Sequence, residues 1–150
     1  MGLATLSTEF AQLLEELGVG NYEGAGAGAP GSPVNLFVEW MPDKPDVAVG
    51  LYTSSGGESS AGEGEDNPQI MVRIRGTKDA RTALAKAEAV YNGLHGLGDK
   101  VLAGGTQLIY CLGIQSGFNR LGVDEVGRHL YTCNFRTMIL NPTPNRTPEE

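Results

Sequence analysis

Within residues 68–96, PQIMVRIRGTKDARTALAKAEAVYNGLHG, the spacing of apolar side chains changes from every second residue to every third or fourth. That change dictates a strand, a turn and a helix, in this order. Ile70, Val72 and Ile74 alternate with Met71, Arg73 and Arg75, so a strand here carries an aliphatic row on one face and two guanidinium groups on the other. From Thr77 onward, Ala80, Ala83, Leu84, Ala87, Tyr91 and Leu94 recur at helical spacing over about five turns. Thr77 is placed to cap the first turn, Asp79 to complement the positive end of the helix dipole, and Gly96 after His95 to stop the helix. The small Ala80, Ala83 and Ala87 let this helix lie close to the aliphatic face of the strand.

The same reasoning extends to the rest of the chain. Leu3, Leu6, Phe10, Leu13, Leu14 and Leu17 form a helical stripe, with Glu9, Gln12, Glu15 and Glu16 off it and Gly18 at its end. VNLFVEWM (34–41) and DVAVGLY (46–52) read as strands of a hairpin around the PDKPD turn, with Val47, Val49 and Leu51 buried and Trp40 packing at the rim. Residues 97–105 read as a glycine-rich connection and 116–127 as a loop. TQLIYCLGIQ (106–115) presents Leu108, Tyr110, Leu112 and Ile114 as one row. RHLYTCNFRTMIL (128–140) places Tyr131, Cys133, Phe135 and Thr137 opposite Thr132, Asn134 and Arg136, and these two strands are expected to pair. The expected class is α+β: a mainly antiparallel sheet of four to five strands flanked by an N-terminal helix and a central helix, in one domain over 1–150.

Three segments fall outside this framework. GAGAGAPGSP (24–33) follows a helix and ends in prolines, whereas a dinucleotide loop follows a strand and opens a helix; it reads as a flexible linker. Residues 53–67, TSSGGESSAGEGEDN, combine Glu58, Glu63, Glu65 and Asp66 with no large aliphatic side chain. Such a composition predicts a mobile loop, and its acids lack the spacing of an EF-hand. Residues 141–150, with three prolines, predict an extended tail.

Composition narrows the function. A chain of 150 residues with net charge −7 is a poor binder of phosphate backbones, which are held by displacing counterions with Lys and Arg. The longest uncharged run, 101–119, is too rich in glycine and amides to cross a bilayer, and no basic region precedes an apolar run near the N-terminus. A soluble, unexported protein with Cys111 and Cys133 as free apolar thiols is expected. His95 and His129 lack metal-site spacing, and His95 is placed to meet the last helical carbonyls. No nucleophile elbow occurs, and Asp124, Glu125 and Arg128 read as a local ion pair. Neither an enzyme nor a cofactor or metal site is expected.

MPDKPDVAVGLY, the Gly56–Gly57 pair, PQIMVRIRG, the helix ending in YNGLHG, and LGVDEVGRHLYTCNFR follow one another from about residue 41 to 135. This ordered set resembles the tail terminator or minor capsid proteins of long-tailed bacteriophages. The resemblance implies a virion protein that assembles as a homo-oligomeric ring, usually of six, on the end of the tail tube. Such a ring stops tail growth and joins tail to head. Its implied partners are the tail tube protein and head–tail connector proteins, with DNA passing through unbound and no membrane involved. Its implied location is the neck of the virion, after assembly in the host cytoplasm. On this reading Arg73, Arg75, Asp124, Glu125 and Arg128 are candidates for the subunit interface, and Glu58, Glu63, Glu65 and Asp66 for a lumen or docking loop that repels phosphates. Two alternatives stand beside it: a head-completion adaptor of the neck, and a small ligand-binding or enzymatic domain using His129, Tyr110 and Arg128.

Overall fold

The computed structural model describes residues 3–22, 34–57 and 64–144. The N-terminal stripe folds as a 3-10 turn, Leu3–Thr5, leading into α1, Leu6–Glu16. Leu6, Phe10, Leu13 and Leu14 are buried, while Leu3 and Leu17 at its two ends are exposed. Gly18 ends the helix at a φ of +80°, a left-handed conformation that glycine adopts without a Cβ penalty. Glu9 departs from expectation. It is only 1% exposed, and its carboxylate accepts from the backbone amides of Gly104 (2.9 Å) and Thr106 (3.1 Å) and from the Thr106 hydroxyl. A buried carboxylate satisfied this way anchors α1 to a turn some 95 residues further along the chain.

Among the described residues eight strands form one sheet: β1 Leu36–Val38, β2 Ala48–Ser54, β3 Glu65–Asp66, β4 Gln69–Arg75, β5 Leu97–Val101, β6 Gln107–Gly113, β7 Asn119–Val123 and β8 His129–Leu140. The main order is β1-β2-β4-β8-β6-β5. The twelve-residue β8 is the centre, with β4 and β3 along one edge and β6 and β7 along the other. The α+β class holds, but the expected four to five strands omitted β3, β5 and β7. These three are short and polar or glycine-containing. They sit at the margins, where backbone pairing suffices and no alternating apolar row is required.

The hairpin expected from 34–52 is not formed. β1 runs parallel to β2, Leu36 opposite Val49 and Val38 opposite Leu51, and the antiparallel partner of β2 is β4. Parallel neighbours require the chain to travel back along the strand, so residues 39–47 form a return loop instead of a tight turn. In β6 a register shift between Leu108 and Tyr110 breaks the expected row: Leu108 and Cys111 are buried, while Ile114 is exposed.

α2, Ala80–Leu94, buries Ala83, Ala87, Val90 and Leu94, whereas Leu84 lies on the outside. Its N-cap is Asp79 rather than Thr77; the Asp79 carboxylate accepts from the Arg81 amide at 3.0 Å, and Thr77 Oγ1 accepts from the Asp79 amide. The His95 ring stacks on Tyr91 and its Nδ1 accepts from the Gly113 amide at 2.9 Å, so it ties α2 to β6 rather than bonding to helical carbonyls.

Registers place Val49 and Leu51, Ile70, Val72 and Ile74, and Tyr131, Cys133 and Phe135 on one face of the sheet. α1 and α2 cover this face, and together they make the core. The opposite face carries Tyr52, Met71, Arg73, Asn134 and Arg136, none of them fully buried.

Candidate functional site

Since both helices lie on one face of the sheet, the other face presents its strand side chains directly to the surroundings among the described residues. Its two ends differ. At the β2 start the return loop folds over the strands. Met41 lies on Gly50 so closely that a Cβ there would come within 2.6 Å of the Met41 Cγ, so a larger residue would displace the Met41 side chain. Beyond Met41, the loop is held by two arginines.

Arg75 is 6% exposed. Its Nε donates to the Asp46 carbonyl at 2.9 Å, and one terminal nitrogen donates to the carbonyls of Pro42 and Pro45, both at 2.7 Å. Proline has no amide hydrogen, so a proline-containing loop gains little from ladder bonding, and a guanidinium fork supplies the donors its carbonyls need. Burial holds the Arg75 pKa below its ordinary value, and the neighbouring Arg128 charge adds to this, against the opposing pull of Asp124, Asp43 and Asp46.

Arg128, also 6% exposed, completes the assembly. Its Nε donates to Asp124 Oδ2 at 2.7 Å, and its terminal nitrogens donate to the Asp43 carbonyl (2.6 Å), Asp46 Oδ1 (3.1 Å) and Asp43 Oδ1 (2.9 Å). The other Asp124 oxygen accepts from the amides of Val126 and Arg128. Desolvation pushes the Asp124 pKa upward, but these amide and guanidinium bonds outweigh it and the net direction is down. The arrangement joins the return loop to the turn between β7 and β8 as one polar block, which can position a surface but presents no free nucleophile or base.

Three of the five expected interface residues, Arg75, Asp124 and Arg128, are therefore satisfied within their own chain. The ion pair read between Asp124 and Arg128 is present, and Asp43 and Asp46, which the sequence reading missed, extend it. A proline turn bearing two aspartates was the available signal. Arg73 and Glu125 are exposed.

The rest of the open face is uncovered among the described residues. Arg73, opposite Gly50 and Thr132, bears on Tyr52: burial raises the Tyr52 pKa while the Arg73 charge opposes the rise. Arg136, opposite Gln69 and Leu112, is also exposed. Its place on this face follows from the alternation along β8, but nothing in its sequence neighbourhood marks it as a site residue.

The acidic segment is only partly described. Glu58 and Glu63 lie outside the described residues. Glu65 and Asp66 form β3 against Leu140 and Ile139, and Asp66, 3% exposed, accepts from Asn141 Nδ2 at 2.7 Å. This end of the segment is thus a paired strand with a buried side chain. Cross-strand pairing offsets the ordering cost that composition alone could not. Thr53, the residues that follow it to Gly57, Asp66, Asn67, Pro68 and Leu3 surround an open cavity of about 320 Å³.

The residues proposed for a ligand pocket are not brought together. Tyr110 pairs with Met138 near one end of β8, whereas Arg128 and His129 stand at the other, about 30 Å away. Trp40 is exposed, in edge contact with Phe37. Cys111 and Cys133 are buried free thiols, each pushed up to about 12 by burial. Among the described residues no cluster of His, Cys, Asp or Glu could hold a metal ion, and no helix is long and apolar enough to cross a membrane.

Comparison with known proteins bears on this architecture. No curated protein matches the chain. Among solved structures it is similar to a chain of the virion of a native gene transfer agent particle, at 20% identity and a TM-score of 0.49 over 69% of this chain and 77% of that one. The family model described as bacteriophage tail terminator protein matches residues 13–141, from within α1 through all eight strands. The chain belongs to the bacteriophage tail terminator family and is a structural protein of the phage tail.

Proposed function

We propose that this chain assembles as a homo-oligomeric ring, of six subunits, on the end of the completed tail tube, where it stops tube growth and forms the joint to the DNA-filled head. The observation that carries the reading is the match to the tail terminator family across the whole sheet and α2. A sheet that the described helices cover on one face is consistent with it, because a subunit of an assembly needs surface left for its neighbours. Net charge −7 suits a lumen through which DNA passes without being held. The tail tube protein and head–tail connector proteins are the expected partners, in the neck of the virion, with assembly in the host cytoplasm. Arg73 and Glu125, both exposed, are the candidates for contacts between subunits, and the segment bearing Glu58, Glu63, Glu65 and Asp66 is the candidate for a lumen or docking role.

Electron microscopy of particles made without this chain tests the proposal. Filled heads beside unattached tubes of irregular, excessive length are the expected result. Leaking heads with tails of normal length would transfer the role to head completion, and normal particles would overturn the neck assignment.

A further inference from the structure

The open sheet face has an unusual charge pattern. The described strand positions on this face of β2, β4, β8 and β6 carry Arg73 and Arg136 and, apart from the internally satisfied Arg75, no other charge, in a chain with seven more acidic than basic groups. Two carboxylates border these strands: Glu39, which accepts from the Thr53 amide at 2.8 Å and acts on Tyr52, and Glu65 of β3, opposite Leu140 at the far end of β8. Neither Arg73 nor Arg136 makes an ion pair or side-chain hydrogen bond with a described residue, although both are exposed. Their strand positions are about 13 Å apart along the sheet, with Met71 and Asn134 between them.

The opposite side of the subunit supplies the complement. α2 presents Leu84, Ala85, Glu88, Ala89 and Asn92 outward, away from the sheet. Its two cations are already engaged: Arg81 pairs with Asp79 at 2.9 Å, and Lys86 donates to the Val19 carbonyl at 2.6 Å. Glu88 is the one carboxylate within α2, it is exposed, and it makes no ion pair or side-chain hydrogen bond with a described residue. Beside it Ala85 and Ala89 border a shallow groove of about 410 Å³, completed by Gly18, Val19, Val47, Thr82 and the stem of Lys86, whose ammonium is held by the Val19 carbonyl, and wide enough to receive a side chain. A sheet face whose central strands carry only arginines thus stands back to back with a helix face that offers Glu88 beside a largely apolar groove. Such opposed complementary patches make a head-to-tail contact, which closes into a ring when the rotation between copies permits.

We propose that the open sheet face of one copy seats on the outer face of α2 of the next, with Arg73 paired to Glu88 and Met71 directed at the groove beside Ala85 and Ala89. This rests on the ring reading above and identifies the two surfaces that make the ring. The cross-contact is heterologous, so each subunit uses both faces, and a single charge reversal disrupts every junction.

The test is a charge swap in the full-length chain, read by analytical ultracentrifugation and by complementation of phage lacking this chain. Arg73→Glu and Glu88→Arg are each expected to weaken self-association or complementation on the order of 100-fold, since like charges placed face to face cost several kcal/mol. The double variant restores it to within about tenfold of wild type. Melting temperatures taken at concentrations too low for assembly serve as the control and stay unchanged, because both side chains are exposed. Single variants that assemble and complement normally would overturn the contact, as would a double variant no better than its parents. Particles that assemble normally but deliver DNA poorly would also overturn it, by assigning Arg73 to DNA. These failures leave the ring reading standing provided the wild-type chain caps tubes; tubes of normal length without the chain would remove that reading itself.

Discussion

Arg73 and Arg75 stand on the same face of β4, two residues apart, in opposite surroundings. Arg73 is exposed beside Tyr52, while Arg75 is buried beneath the return loop with its donors taken by the carbonyls of Pro42, Pro45 and Asp46. Neither strand position nor residue type separates them. What separates them is a loop from a distant part of the chain, which reaches the Arg75 end of the face and stops short of the other. A buried guanidinium is tolerated only when its donors are satisfied, and that loop both buries Arg75 and satisfies it. The lesson is that one strand can hold a structural end and an assembly end, and coverage decides which is which.

The largest effect expected from disturbing this arrangement lies on the helix-covered face. Phe135→Ala should cost about 4 kcal/mol in denaturant unfolding, since Phe135 is fully buried between the sheet and the helices. Next comes the arginine pair itself. Arg75→Met should destabilise by about 3 kcal/mol, because several carbonyls lose a charged donor, whereas Arg73→Met should stay within about 0.5 kcal/mol. Equal losses at the two positions would break the comparison.

The covered face can also be probed without mutation. With their thiols pushed up to about 12 by burial, Cys111 and Cys133 should resist a disulfide reagent at pH 8 in the native protein and react promptly in denaturant. Rapid native labelling would show that the helices do not stay on the sheet.

The smallest effect belongs to the exposed start of α2. Hydrogen bonds from the Arg81 side chain and amide hold Asp79 at about 2, against an ordinary 3.8. Because the folded value is depressed, the contribution of this cap is complete above the ordinary value and is lost as pH falls toward about 2. An NMR titration of the Asp79 carboxyl reads it directly, and a midpoint at the ordinary value would show that the cap does not form.

Much of the fold was legible because it is written in local period. The apolar rows of β4 and β8 and the stripe of α1 placed the core face correctly, since a strand or helix must turn its apolar side inward whatever it packs against. Elements whose stability comes from a partner were not legible. LGDKV and NRLGV carry no apolar alternation and become strands only because β6 and β8 offer them backbone to pair with. Glu9 sat off the apolar stripe, and nothing nearby in the chain announced the amides of Gly104 and Thr106 that make its burial tolerable. For the site, composition identified the right residue types but could not say which were already satisfied. Arg128 was paired correctly with Asp124, four residues away, while Asp43 and Asp46, more than eighty residues distant, were missed.

The sequence by itself determined that this chain would be an α+β protein with two amphipathic helices, a long apolar-faced last strand and an acidic surface, because those properties follow from side-chain spacing and charge count. Its ordered motifs also pointed to the tail terminator family. Only the tertiary structure decided that β1 lies parallel to β2, that β8 is bordered by two strands on each side, and that Arg75 and Arg128 turn inward while Arg73 and Arg136 remain outside. These are outcomes of which backbone and which loop arrive beside a residue from far along the chain, and local periodicity carries no record of that encounter.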